Sequence, residues 1–195
     1  MRSLCDIQMN NDMKRRLILL VWAVLACGPA FAQKTAVTLN MADYMMLGTL
    51  NVGAGVSVAR HWTLEAAAKY NPFSYGPEEN RMQNRQQVYN AGVRYWPWHV
   101  FSGWWISAKA QYQEYNHGGV FSRETREGDR MGAGLGAGYT YMVNRRLNLE
   151  FGLSGWAGWD RYAVYECPVC GFTLERGQKV FFLPNELVLA LTYVF

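Results

Sequence analysis

The sequence predicts an all-β chain: an eight-stranded, antiparallel, up-and-down transmembrane β-barrel preceded by a signal peptide. Three observations predict it. Eight segments alternate with period two, as strands do. One face of each is Leu, Val, Ile, Ala, Tyr or Trp, while the other is Gly, Ser, Thr and a few long charged residues. Finally, the connections alternate between short turns and long polar stretches, the spacing expected of an outer-membrane barrel.

The composition agrees. Of 195 residues, 15% are aromatic, 19 are Gly and only 17% are charged, against about 25% charged in ordinary globular chains. Mean hydropathy is still slightly negative, which excludes a bundle of membrane helices. Lys14, Arg15 and Arg16 form a basic n-region, Leu17 to Cys27 an apolar h-region, and Ala30-Phe31-Ala32 a cleavage site. Residues 1–32 are therefore expected to be a signal peptide, with Met13 the true start, and residues 33–195 a single barrel domain. The h-region is shorter than the roughly 20 residues of a spanning helix. Val24-Leu25-Ala26-Cys27 loosely resembles a lipobox, but Leu25 is bulky where small residues are preferred. Removing Arg2, Lys14, Arg15 and Arg16 with Asp6 and Asp12 takes the net charge from +4 to +2. No basic stripe for nucleic acid survives.

In order, Val37, Leu39 and Met41 alternate with Thr38, Asn40 and Ala42 as a first strand. Leu50 to Val58 and Trp62 to Tyr70 form the next two, joined at Arg60-His61. Asn71 to Arg85 reads as a long polar loop. Tyr89 to Tyr95 is a fourth strand, Trp96-Pro97-Trp98-His99 a turn, and Trp104 to Tyr112 a fifth strand. Asn116 to Arg130 is a second polar loop. Met131 to Tyr141 sets Gly132, Gly134, Gly136 and Gly138 on one face. Leu147 to Trp159 is the seventh strand, Asp160 to Pro184 the longest loop, and Glu186 to Phe195 the last strand. Tyr193 and Phe195 resemble the aromatic ending of the sorting strand of bacterial outer-membrane barrels.

A secreted soluble barrel of the lipocalin type would also alternate, so the less apolar face decides. A water-facing surface should be rich in Lys, Glu and Thr. Here it is mostly glycine and serine, which suits the crowded interior of a narrow barrel. Glu65, Lys69, Arg94, Lys109, Glu150 and Glu186 fall on that inner face and are expected to pair as a network, because unpaired buried charges cost several kcal/mol or so each. Tyr70, Tyr95, Trp96, Trp98, Tyr112, Tyr139, Tyr141, Trp159, Tyr193 and Phe195 lie near strand ends, where aromatic girdles belong.

Cys167-Pro168-Val169-Cys170 could be a zinc half-site, a redox dithiol or a disulfide. Zinc needs two further ligands, and a dithiol of the thioredoxin kind needs a βαβ context. A disulfide in an exported loop is expected, and no metal or cofactor. For catalysis, His117 with Ser122 and Glu114 or Glu124 is the one conceivable set, through a nucleophile and its base. A lipid-modifying enzyme is the alternative it would support; no enzyme activity is expected.

Arg60-His61-Trp62-Thr63-Leu64-Glu65, Tyr70-Asn71-Pro72-Phe73, Arg94-Tyr95-Trp96, Arg146-Leu147-Asn148-Leu149-Glu150 and Tyr165-Glu166-Cys167-Pro168-Val169-Cys170-Gly171 together resemble the domain of unknown function 3575, a family of Gram-negative outer-membrane proteins. Ala36, Met45 and Met46 depart from the family's usual first hairpin. The resemblance implies an outer-membrane location, contact with outer-membrane lipid, and surface work beside fimbrial or other cell-surface proteins. The architecture is similar to the OmpA/OmpX type.

Overall fold

The structure, a computed structural model, describes residues 34–76, 82–118, 124–166 and 172–195, apart from the side chain of Asn185. The strands are β1 (Thr35–Asn40), β2 (Leu50–Ala59), β3 (Trp62–Asn71), β4 (Ser74–Tyr75), β5 (Met82–Tyr95), β6 (Gly103–Gly118), β7 (Thr125–Met142), β8 (Leu147–Tyr165) and β9 (Thr173–Val194), with one short helix, α1 (Met41–Met45), after β1. All neighbours are antiparallel. The order β3-β2-β1-β9-β8-β7-β6-β5 closes through pairing of β3 with β5, so eight strands form a barrel and β4 only extends β5. No helix of the described residues is long and apolar enough to cross a membrane, a criterion that says nothing about strands.

The barrel is inverted relative to a soluble one. Thr63, Asn90, Arg94, Ser107, Gln111, Glu150 and Thr192 are buried inside, whereas Leu64, Val93, Ile106, Leu135, Leu153 and Leu187 are exposed outside. The glycine run of β7 points inward, and one position shows why. A methyl group on Gly138 would overlap the Trp105 ring and the Phe151 carbonyl, so this row must stay bare for the indole to cross it.

Three segments differ from the sequence reading. The stretches read as long loops are largely strand: β5 starts at Met82, β6 runs to Gly118, β7 starts at Thr125, β8 runs to Tyr165 and β9 starts at Thr173. Along most of these stretches both faces are polar, so the alternation disappears while the backbone ladder continues; Val180 to Leu183 is the exception, apolar on both faces. Met41 leaves the first strand for α1, whose start is capped by the Asn40 side chain accepting from the Ala42 N–H. The third difference concerns Trp96, described with the site.

The walls are uneven. β1, β2 and β3 have 6, 10 and 10 residues, against 18, 19 and 22 for β7, β8 and β9. The short strands make a low wall; β6 to β9 rise past it as a high wall.

Candidate functional site: the barrel interior and the high wall

The turn end of the barrel is closed from within. Trp96, Phe101 and Trp105 are 0%, 4% and 1% exposed, so Trp96, expected in the outer girdle, lies inside instead. Proline at position 97 and the left-handed backbone of Phe101 (φ 62°) fold the turn back under the barrel. A non-glycine residue there costs on the order of 1 kcal/mol, and burying the Phe101 ring offsets it. The Asn148 side chain donates to the Phe101 carbonyl (2.9 Å), and Trp96 Nε1 donates to Thr63 Oγ1 (3.1 Å).

Arg94 sits on this aromatic floor, 4.1 Å from the Trp105 ring centre and 5.3 Å from that of Trp96. Its Nε meets Glu65 at 2.7 Å and its terminal nitrogen meets Glu150 at 2.7 Å. Glu150 also accepts from the Thr192 hydroxyl (2.7 Å). One guanidinium thus holds two carboxylates through separate N–H groups of its planar fork.

A second cluster lies towards the loop end. Lys69 bridges Glu186 (2.7 Å) and Asp43 (2.9 Å), and Lys109 approaches Glu186 at 3.7 Å. All six charges named from the sequence therefore sit in two inner clusters. Asp43 was missed, because it belongs to α1 and not to any alternating segment. Between the clusters a cavity of about 60 Å³ is lined by Glu65, Lys69, Lys109, Glu186, Asn51 and Asn90 among others.

Asn40 closes the gap left where β1 stops. Its side chain accepts from the Leu189 N–H (3.0 Å) and donates to the Leu187 carbonyl (3.1 Å), continuing the β9 ladder by two bonds. On the other side the Asn51 side chain accepts from the Asn40 N–H and donates to its carbonyl, at 2.7 and 2.8 Å. Two asparagines thus stand in for missing strand. Beyond them, β9 from Thr173 to Glu186 pairs with β8 on one side and with no other strand among the described residues.

The high wall holds a third cluster, which sequence reasoning placed in loops. Asp160, 0% exposed, accepts from the Tyr115 hydroxyl (2.8 Å), with Arg130 at 3.3 Å and Lys179 at 3.9 Å. Arg130 lies 3.8 Å from the centre of the Tyr115 ring, and the His117 ring packs against it at a tilt, 5.0 Å between centres. Burial pushes the Tyr115 phenol up to about 12, although Arg130 opposes this. Burial first, and then Arg130, holds the His117 imidazole down at about 4. Glu114 points to the opposite face, accepting from the Tyr112 hydroxyl (2.9 Å), so it does not join His117. Ser122, Cys167 and Cys170 lie outside the described residues.

The remaining girdle residues, Tyr70, Tyr95, Trp98, Tyr112, Tyr139, Tyr141, Trp159, Tyr193 and Phe195, are all exposed on the outside. Among the described residues no group of three or more His, Cys, Asp or Glu could hold a metal.

With this geometry in view, a family model described as "Protein of unknown function (DUF3575)" matches residues 16–195. The chain belongs to that family. No curated protein matches it. The family match spans every strand, so floor, paired interior and high wall all lie within the family's domain.

Proposed function

We propose that this DUF3575 chain is an outer-membrane β-barrel with a closed interior, and that its high wall is the part presented at the cell surface in a structural or adhesive role. One observation carries the membrane reading. From the turn end up to Tyr70, Tyr89 and Tyr112, no outward side chain on any strand is charged, while the inside holds seven charges in two paired clusters. Hydrocarbon tolerates that arrangement and water does not favour it. The backbone supports the same reading: the β9 edge is paired or capped up to Leu187 and free only beyond, as expected if the bilayer ends there.

Cell fractionation with heat-modifiable gel mobility tests this. Recovery of the mature chain from the detergent-free aqueous fraction would sink it. The aromatic floor and ion pairs support a sealed barrel, so reconstitution in planar bilayers should give no stepwise conductance. For the surface role, shortening β8 and β9 above the band should abolish capture of fimbrial or other cell-surface proteins while the barrel still inserts. Unchanged capture would remove the role from the high wall.

A further inference from the structure

The outward apolar run is taller on one side of the barrel than a bilayer requires. It covers Leu50 to Val58 on β2 and Trp62 to Tyr70 on β3, but Val180 to Phe195 on β9. At about 3.3 Å per residue and a tilt near 40°, the β2 and β3 runs rise by about 20–25 Å, the height of an outer-membrane apolar band. By the same measure the β9 run rises by about 40 Å. Its excess lies at the loop end, beyond the point where the β9 edge becomes free.

Phe182 and Val180 occupy this overhang, and Trp159 and Met131, in register with Tyr112 at the top of the band, adjoin it; the four are 79%, 75%, 66% and 60% exposed. They are contiguous, because Met131 pairs with Trp159, Trp159 with Val180, and Phe182 follows two residues along β9. Together they offer on the order of 500 Å² of apolar surface, a size that on a folded protein marks a contact site.

We propose that the overhang is the interface between two copies of this chain in one membrane, related by a two-fold axis along the membrane normal. The inference rests on the membrane reading above. Insertion fixes the height and orientation of every copy, so a second copy necessarily presents the same patch at the same level. Two such patches bury about 1,000 Å², the lower bound for a specific interface, and confinement to a plane lowers the orientational cost of association. The charges flanking the patch are self-complementary. On the loop side of the patch Glu127 and Asp129 stand on β7, Arg161 on β8 and Arg176 on β9; Glu127 and Asp129 accept from the Tyr165 and Tyr112 hydroxyls, and none of the four makes an ion pair within the described residues. A two-fold through the patch sets the acidic side of one copy against the basic side of the other, as an isologous contact requires.

The test uses the full chain in native outer membranes. Phe182→Cys, made with Cys167→Ser and Cys170→Ser, should give a cross-linked species of twice the chain mass with a short bismaleimide. Val58→Cys, on the far side of the barrel, should not. The double variant Val180→Lys, Phe182→Lys should lower the dimer fraction in lipid nanodiscs at least tenfold while heat-modifiable mobility stays intact. The proposal is overturned by equal cross-linking at Val58, by an adduct of any other mass at Phe182, or by a wild-type chain that is monomeric in nanodiscs. A monomeric barrel in the membrane would leave the membrane reading standing, whereas a water-soluble chain would end both.

Discussion

β7, β8 and β9 each have a lower half with an apolar outer face and an upper half with charges on both faces, and the two halves obey different rules. Below the Tyr112 level every charge carried on a strand points inward, and the tightest ion pairs, at 2.7 Å, lie around Arg94 and Lys69. Above it, charges stand on both faces. The pairs at Asp160 are 3.3 and 3.9 Å, and Arg126, Arg130 and Lys179 also lie over Tyr162 or Tyr115 rings. The ladder is continuous through both halves. What changes is where a charge is permitted, and therefore how much each pair matters.

The sharpest way to break that contrast is Arg94→Ala. It leaves Glu65 and Glu150 without their cation in a dry interior, a loss of about 3–5 kcal/mol, read as a lower urea midpoint for the heat-modifiable form. The triple change Arg94→Met, Glu65→Gln, Glu150→Gln should recover most of it, because the cost lies in the stranded charges. If Arg94→Ala were no worse than an exposed substitution, the interior would be wet and the contrast false.

Next in size is Asn40→Ala, which removes both bonds to the β9 edge and the cap on α1, for about 1–3 kcal/mol. Its signature is local: faster amide exchange at Leu189 with little change at Phe151 on the far side of β9. In the upper half, Arg161→Ala should lower the stability of the single barrel by less than about 0.5 kcal/mol, because Arg161 is exposed and makes no ion pair within the described residues of its own chain.

The sequence made the lower half legible and the upper half opaque for one physical reason. Where one face is apolar and the other lines a polar interior, each residue's chemistry reports its side of the sheet, so Gly132 to Gly138 and the inward charges can be placed from alternation. Where both faces meet water, Arg126 to Arg130 and Asp160 to Lys179 alternate in nothing and read as loop. Asp43 escaped because a one-turn helix leaves no period to detect. Trp96 misled because indole suits a girdle and a buried floor equally; only the inward fold of the Trp96 to Gly103 turn separates them.

The smallest expected effect probes the upper half alone. His117 faces Tyr115, Arg130 and Asp160, with Arg126 and Asn84 as its cross-strand partners. Its imidazole is held at about 4 against an ordinary 6.5, so the folded chain keeps it neutral where the unfolded chain takes up a proton. Its contribution to stability is therefore full above about pH 6.5 and is lost as pH falls towards 4. Between pH 7 and 5, amides of Tyr115 to Gly118 should lose protection, after correction for intrinsic exchange, while those of Trp105 to Lys109 keep theirs. His117→Gln should flatten the response. An imidazole resonance titrating near 6.5 would show the ring already in water, and the third cluster would then be a surface decoration with no dry centre of its own.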